Sequence, residues 1–283
     1  MPDRATGETT SHSTKLSKDD KQVAGYNSVK DAGHVIGYSL SVTIITKNEA
    51  ANIRACIESV AWADEIIVVD SGSDDGTIEI CRELGAQVYL LDWPGFGMQK
   101  NRALSYASKG WILSLDADER VTPELRAEIE AAISSGRADG FELPRLSNFC
   151  GRFMRHSGWY PDYVLRLFRR GQGHFSDALV HESVQMNGRI SRLQQPLLHY
   201  TYRDFDDVLF KLNSYSGAAA TMLQRRGKQG GLAQAVLHGL WAFIRTYFLR
   251  AGFLDGREGF MLAVMNAENS YYRYIKLWLK QKS

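Results

Sequence analysis

From Leu40 onward, apolar and polar positions fall into a regular alternation of two periods. The run LSVTIIT (40–46) is short and dominated by β-branched residues, which predicts a strand. Ile53, Cys56, Ile57 and Val60 recur at helical spacing within EAANIRACIESVA (49–61). EIIVVD (65–70) predicts a second strand, and SGSDDGT after it is a loop of turn formers and helix caps. Ile78, Ile80, Cys81 and Leu84 predict a helix that stops at Gly85. AQVYLL (86–91) is a third strand, and a helix from about Met98 to Ser108 is expected to close at Gly110. WILSLD (111–116) is a fourth strand. TPELRAEIEAAI opens a helix with Thr122 as N-cap and Pro123 at the first helical position.

Four strand–helix alternations in a row predict an α/β fold, a mostly parallel sheet with helices on both faces. The pattern changes after Asp139. FELPRL, YVLRLFRR and a run near Ile190 read as strands between irregular stretches, and the chain reads as helical from Phe205. Three parts follow: a disordered tail over 1–38, an α/β domain over 39–204 and a helical region over 205–283.

Ligands of open parallel sheets bind beyond the carboxyl ends of the strands. Thr46, Lys47, Asn48 and Glu49 stand there after the first strand, Asp70 and Ser71 after the second, and Asp116 and Asp118 after the fourth. A rim so crowded with acids repels itself unless a cation sits among them. Mg²⁺ and Mn²⁺ prefer carboxylate oxygens, and Mg²⁺ sites combine one or two carboxylates with substrate phosphates. Helix capping accounts for Asp74, but not for Asp116-Ala117-Asp118, because Thr122 already serves the next helix. The DxD is therefore a metal–diphosphate candidate.

Taken together, TIITKNEAANIRACIESV, EIIVVDSGSDDGT and QKNRALSYASKGWILSLDADE resemble the family-two glycosyltransferases of GT-A fold. That resemblance implies a Rossmann-like nucleotide-binding sheet, with a donor half to about residue 140 and an acceptor half after it. It implies a DxD holding Mg²⁺ or Mn²⁺ on the donor diphosphate, and inversion at the anomeric carbon. It places Thr46 and Glu49 in the nucleoside pocket, Asp70 on the base or ribose with Ser71 beside it, and Lys100 and Asn101 near the donor. SNFCGRFMRHSGWYPDYVLRLFRRG and ALVHESV resemble a narrower group, the bacterial transferases that add glucose in lipopolysaccharide inner-core assembly. A UDP-sugar donor and a glycolipid or saccharide acceptor follow from the same resemblance. The QxxRW of processive polymerases is absent.

Inverting transfer needs a group to take the acceptor proton. Glu182 and Asp162 are the candidates, with Glu182 favoured; an ion pair with Arg166 or Arg169 is its plainer role. His181 is a candidate third metal ligand or a structural histidine. Trp159 with Tyr160 forms either a stacking face for a sugar or part of a core beside Phe153. Arg166, Arg169 and Arg170 either meet phosphates or form the solvated face of a strand.

Overall charge is only +2, which argues against nucleic acid as a partner. Yet residues 222–283 hold ten Lys and Arg against three acids, together with many aromatics. Such helices suit an anionic membrane surface, so a peripheral location on the cytoplasmic face of the plasma membrane is expected. Three scattered cysteines fit a reducing compartment, and neither a spanning helix nor a signal peptide is expected. Two alternatives remain: a phosphohydrolase of haloacid-dehalogenase type, with Asp116 as nucleophile, and a non-catalytic nucleotide-sugar-binding scaffold. A nicotinamide dehydrogenase would need glycines that TKNEAA lacks.

Overall fold

A computed structural model of the chain describes residues 38–176, 182–202 and 204–282. The expected tail up to residue 37 lies outside the described residues, as does His181. The first elements follow the predicted alternation: β1 (Leu40–Thr46), α1 (Ala50–Ser59), β2 (Glu65–Asp70), α2 (Thr77–Glu83), β3 (Gln87–Leu90), α3 (Phe96–Tyr106) and β4 (Trp111–Asp116). Helix α3 starts earlier than its apolar spacing predicts, directly after Gly95, and stops at Tyr106 because Ala107 is already extended. Gly110 does not close it; its N–H bonds Ser39 Oγ at 3.1 Å. Next come β5 (Glu119–Arg120) and α4 (Pro123–Ser135), whose Thr122 cap accepts the Leu125 N–H.

Strands β3, β2, β1 and β4 are mutually parallel, as expected. Beyond β4 the sheet becomes mixed. The later strands are β6 (Gly140–Phe149), β7 (Arg152–Phe153), β8 (Asp162–Arg169), β9 (Gly173–Phe175), β10 (Val184–Met186), β11 (Ile190–Arg192) and β12 (Leu197–Tyr202). β8 inserts antiparallel between β4 and β6, and β12 lies between β6 and β5. β6 pairs antiparallel with β8 but parallel with β11 and β12, and among the described residues the chain between β6 and β12 holds strands rather than crossover helices.

Both faces of the sheet are covered, which explains why β1 is buried at every position. Leu40, Val42, Ile44, Val68, Leu113 and Leu115 pack with Ile53, Ile57, Cys81, Leu125 and Ile129 from α1, α2 and α4. Ile45, Ile67, Val69, Ile112 and Phe168 pack with Ala103 of α3 and Ala107 on the opposite face.

The C-terminal part is helical, as predicted. It consists of α5 (Phe205–Arg225), α6 (Leu232–Ile244), a π turn (Arg245–Leu249), a 3-10 turn (Gly252–Asp255) and α7 (Gly256–Lys282). Val208 and Leu212 of α5 and Leu262 and Met265 of α7 share a core with Phe149, Met154 and Tyr202, which ties these helices to the far end of β6 and β12.

Candidate active site

Side chains alternate between the faces of a strand, so residue parity decides which polar groups can meet. On β4, Ile112 faces α3, and Asp116 shares its parity. On β8, Phe168 faces α3, and Arg166 stands at the irregularity where the pairing with β6 skips from Leu167 to Leu165. The register pairs Ile112 with Phe168, and the Arg166 guanidinium reaches Asp116, which Lys100 of α3 also contacts.

The result is a chain of alternating charges. Glu182 Oε1 lies 2.7 Å from Lys100 Nζ, which lies 2.8 Å from Asp116 Oδ1. Asp116 Oδ2 accepts a hydrogen bond from Arg166 Nη2. The same Nη2 lies 2.8 Å from Glu119 Oε1, and Arg145 Nη1 is 3.9 Å from that oxygen. Arg145 Nη2 ends the chain 2.6 Å from Asp162 Oδ2. Lys100, Glu119 and Arg166 are buried. Burial by itself would raise the Asp116 carboxyl, but the Arg166 and Lys100 charges outweigh it and hold that carboxyl well below the usual range. Burial likewise works against the Arg166 guanidinium, and Asp116 and Glu119 more than compensate, keeping it charged.

At Asp116 positive charge comes from the protein itself. Lys100 and Arg166 supply the positive charge, and each takes one of its oxygens. Arg166 is also not on a solvated strand face. The partner of Glu182 is Lys100, rather than Arg166 or Arg169.

Asp118 is placed differently. Strand β12 pairs with β5, setting His199 opposite Glu119, and the Tyr200 N–H bonds Asp118 O at 2.9 Å. His199 Nε2 thereby comes to 3.3 Å from Asp118 Oδ2, with the side chains 13% and 25% exposed. The other ring nitrogen, Nδ1, is within hydrogen-bonding distance of Ser147 Oγ (3.0 Å) and Thr201 Oγ1 (2.7 Å). A hydrogen-bonded second nitrogen is the usual arrangement for a metal-binding imidazole. The pair brings one oxygen and one nitrogen donor together. Among the described residues no group of three His, Cys, Asp or Glu could hold a metal ion. Such a two-donor site fits a cation that takes its remaining ligands from substrate phosphates.

The remaining predicted residues fall into two groups. Around β1 and β2, Asp70 is fully buried. Its carboxylate accepts from Thr46 Oγ1, the Gly72 and Ser73 N–H groups and Ser73 Oγ. Ser71 Oγ accepts from the buried Gln99 at 2.9 Å. The Glu49 N–H bonds Thr77 Oγ1, and its Oε2 accepts from Asn52. These side chains brace the loops at the strand ends. Asn101 exchanges two hydrogen bonds with the Phe175 backbone, pinning β9 to α3 on the segment that leads toward Glu182. Trp159 packs edge-on to Phe149 at 5.7 Å and stacks with Tyr202 at 6.0 Å, so its core partner is Phe149 rather than Phe153.

Glu119, Arg145, Gln99 and His199 join the site without having been singled out in the sequence. Glu119 follows the DxD directly and could have been read from LDADE. His199 could not, because LLHYTY carries no motif and its strand was not predicted.

A parallel half whose strand ends carry acids, joined to a mixed half that returns to it, is the architecture of the GT-A glycosyltransferases. The sequence profile described as glycosyl transferase family 2 matches residues 41–186, and the chain belongs to that family, with its GT-A fold. The lipopolysaccharide core biosynthesis glycosyltransferase LpsC of Rhizobium meliloti is 31% identical over 83% of this chain and 93% of its own. A Rickettsia bellii protein named only as a glycosyltransferase is 32% identical over 84% of this chain and 85% of its own. Among solved structures, Mycobacterium tuberculosis glucosyl-3-phosphoglycerate synthase with Mn²⁺, UDP and glucosyl-3-phosphoglycerate is 25% identical. It covers 40% of this chain and 45% of that one at a TM-score of 0.35, a likeness too slight to bear on the site. The chain is thus a glycosyltransferase, and the phosphohydrolase and scaffold alternatives fall away.

Proposed function

We propose that the protein is an inverting, divalent-cation-dependent hexosyltransferase. It moves a sugar, glucose by its sequence resemblance, from a UDP-sugar to a hydroxyl of a lipopolysaccharide core or similar glycolipid. The observation that carries this reading is the chain of charges from Glu182 through Lys100, Asp116, Arg166, Glu119 and Arg145 to Asp162, beside the Asp118–His199 pair. Residues 39–204 form the catalytic part of this design, with the donor half to about residue 140 and the acceptor half after it, and 205–283 form its membrane-facing part.

Asp118 and His199 would hold Mg²⁺ or Mn²⁺, which when bound neutralises charge on the departing diphosphate. Glu182 is the base. Its side chain is 14% exposed, and Lys100 fixes Oε1, leaving Oε2 to take the acceptor proton. Asp162 is 46% exposed and is held by Arg145 at the far end of the network, which makes it the weaker candidate. Asp70, with Thr46, Ser71 and Glu49, shapes the loop that receives the nucleoside. Lys100 and Arg166 keep Asp116 ionised and in place.

A screen of nucleotide sugars with Mn²⁺ or Mg²⁺, followed by thermal stabilisation and turnover, tests the proposal. Asp118→Asn is expected to lose the cation-dependent stabilisation by donor. Glu182→Gln is expected to keep it while turnover falls about 10²–10⁴-fold. Donor binding that ignores both cation and Asp118 would end the metal reading; full turnover in Glu182→Gln would move the base to Asp162.

The helical part adds a location. Among the described residues no helix is long and apolar enough to cross a membrane. Leu237, Leu240 and Trp241 of α6 and Phe248 and Leu249 of the π turn are nevertheless exposed. With the excess of basic residues, these suit insertion into an anionic lipid interface.

A further inference from the structure

Strand β4 ends at Asp116 and β5 begins at Glu119, so Ala117 and Asp118 form the turn between them. Connecting segments are ordinarily the more mobile parts of a chain. Here, however, each carbonyl oxygen from residue 116 to 119 is taken by the protein. Asp116 O accepts from Cys56 Sγ at 3.6 Å, and Asp118 O from the Tyr200 N–H at 2.9 Å. Arg120 Nη1 donates to both Ala117 O and Glu119 O, at 3.0 and 2.9 Å. The other end of that guanidinium, Nη2, donates to Asn52 O at 2.7 Å, which fastens the turn to α1.

Glu119 closes the same turn from within. It is fully buried. Its Oε2 accepts the Asp116 N–H at 2.9 Å, three residues back, and its Oε1 accepts from Arg166 Nη2 at 2.8 Å. The side chain thus spans the turn, joins its first and last residues and ties both to β8. The Glu119 backbone stands opposite His199 in the register of β5 and β12. One residue therefore connects Asp116, the turn that bears Asp118 and the strand that bears His199.

A buried ion pair is a poor source of stability, because taking the charges out of water costs about what their attraction returns. What the carboxylate adds is direction, since its two oxygens accept from a backbone N–H and a guanidinium at once. Glutamine could serve only one of these donors, and its NH₂ would face the other. Direction matters beside Asp118 and His199. Among the described residues no third His, Cys, Asp or Glu joins them, so no further ligand corrects a misdirected one, and a displacement of about 1 Å weakens such a site.

We propose that Glu119 and Arg120 are positioning residues: they lock the turn from Asp116 to Glu119 so that Asp118 stays beside His199, and thereby preset the place of the divalent cation. Neither touches the cation. Both Glu119 oxygens are engaged, and Arg120 carries the wrong charge. The inference rests on the cation reading above and adds to it the residues that set the affinity.

Mn²⁺ titration of the full chain with UDP tests it, with the free ion read by electron paramagnetic resonance below every variant's melting temperature. Glu119→Gln is expected to weaken Mn²⁺ binding about 10–100-fold, and Arg120→Gln about tenfold. UDP binding without the cation is expected to stay unchanged in both. Gly259→Ala crowds the Gly252 carbonyl in the helical part, so it destabilises without touching the turn, and it is expected to keep wild-type Mn²⁺ affinity. A purely structural role would lower the melting temperature of all three variants and move the Mn²⁺ affinity of none. If Glu119→Gln does not fold, the less buried Arg120 carries the comparison. Wild-type Mn²⁺ affinity in either turn variant overturns the proposal, as does loss of cation-free UDP binding along with Mn²⁺. Wild type that takes up no Mn²⁺ with UDP removes the cation reading itself, and this proposal with it.

Discussion

Lys100 shows how one side chain organises this site. It is buried and contacts two carboxylates at 2.7 and 2.8 Å, so its removal takes from Asp116 one of its two cations and from Glu182 its lysine partner. Lys100→Met is expected to lower stability by about 3 kcal/mol, read by urea unfolding, because the uncompensated charges stay in a poorly solvated place. Glu182→Gln leaves Lys100 paired with Asp116, so it is expected to cost less stability than Lys100→Met while activity is lost. Away from the site, Glu65 illustrates pH linkage. Burial would raise its carboxyl, but hydrogen bonds from the Ser108 N–H and the Ser41 and Ser108 hydroxyls win and hold it below its ordinary value. A lowered native pKa stabilises the fold above the unfolded value of about 4.3 and loses that contribution as pH falls. Glu65→Gln is therefore expected to cost about 1–2 kcal/mol at pH 7 and much less near pH 3, measured by denaturant midpoints at both values.

At the scale of elements, the closest approach in the helical part is made by a glycine. A Cβ on Gly259 would lie 1.9 Å from the Gly252 carbonyl oxygen, backbone that cannot rotate away. Helix α7 thus rests directly on the 3-10 turn, which holds Asp255 against residues 155–157. Gly259→Ala is expected to destabilise the protein by about 1–3 kcal/mol or more, although alanine is the better helix former, and a lowered melting temperature would show it. Helix α4 behaves in the ordinary way: Thr122→Ala removes a side-chain cap worth about 1 kcal/mol. The elements that position the site are short. β5 has only two residues, yet its pairing with β12 is what brings His199 to Asp118.

For the whole molecule, the sheet and the helical part divide their tasks. The sheet gathers the charged network, and the helices present exposed apolar and basic groups. Flotation with anionic vesicles at low salt is expected to carry the protein up, and Trp241→Ser with Leu249→Ser to reduce that binding. High salt should weaken it in part, since the basic excess contributes a screened attraction and the apolar side chains an unscreened one. Failure to float on anionic vesicles under any salt would remove the membrane proposal.

Sequence alone determined the first four strands and their helices, because their apolar residues repeat at the spacings that bury one helix face or both strand faces. It also determined the rim on which Asp70, Asp116 and Asp118 stand, because strand ends in such a sheet point to one edge. Tertiary structure alone decided what those acids meet. Asp116 and Arg166 lie 50 residues apart and come together only through the antiparallel register of β4 and β8. His199 reaches Asp118 through a two-residue strand without any periodic signal. Local periodicity reports which face of an element is buried, whereas the neighbour across that face is fixed by register and packing between distant segments.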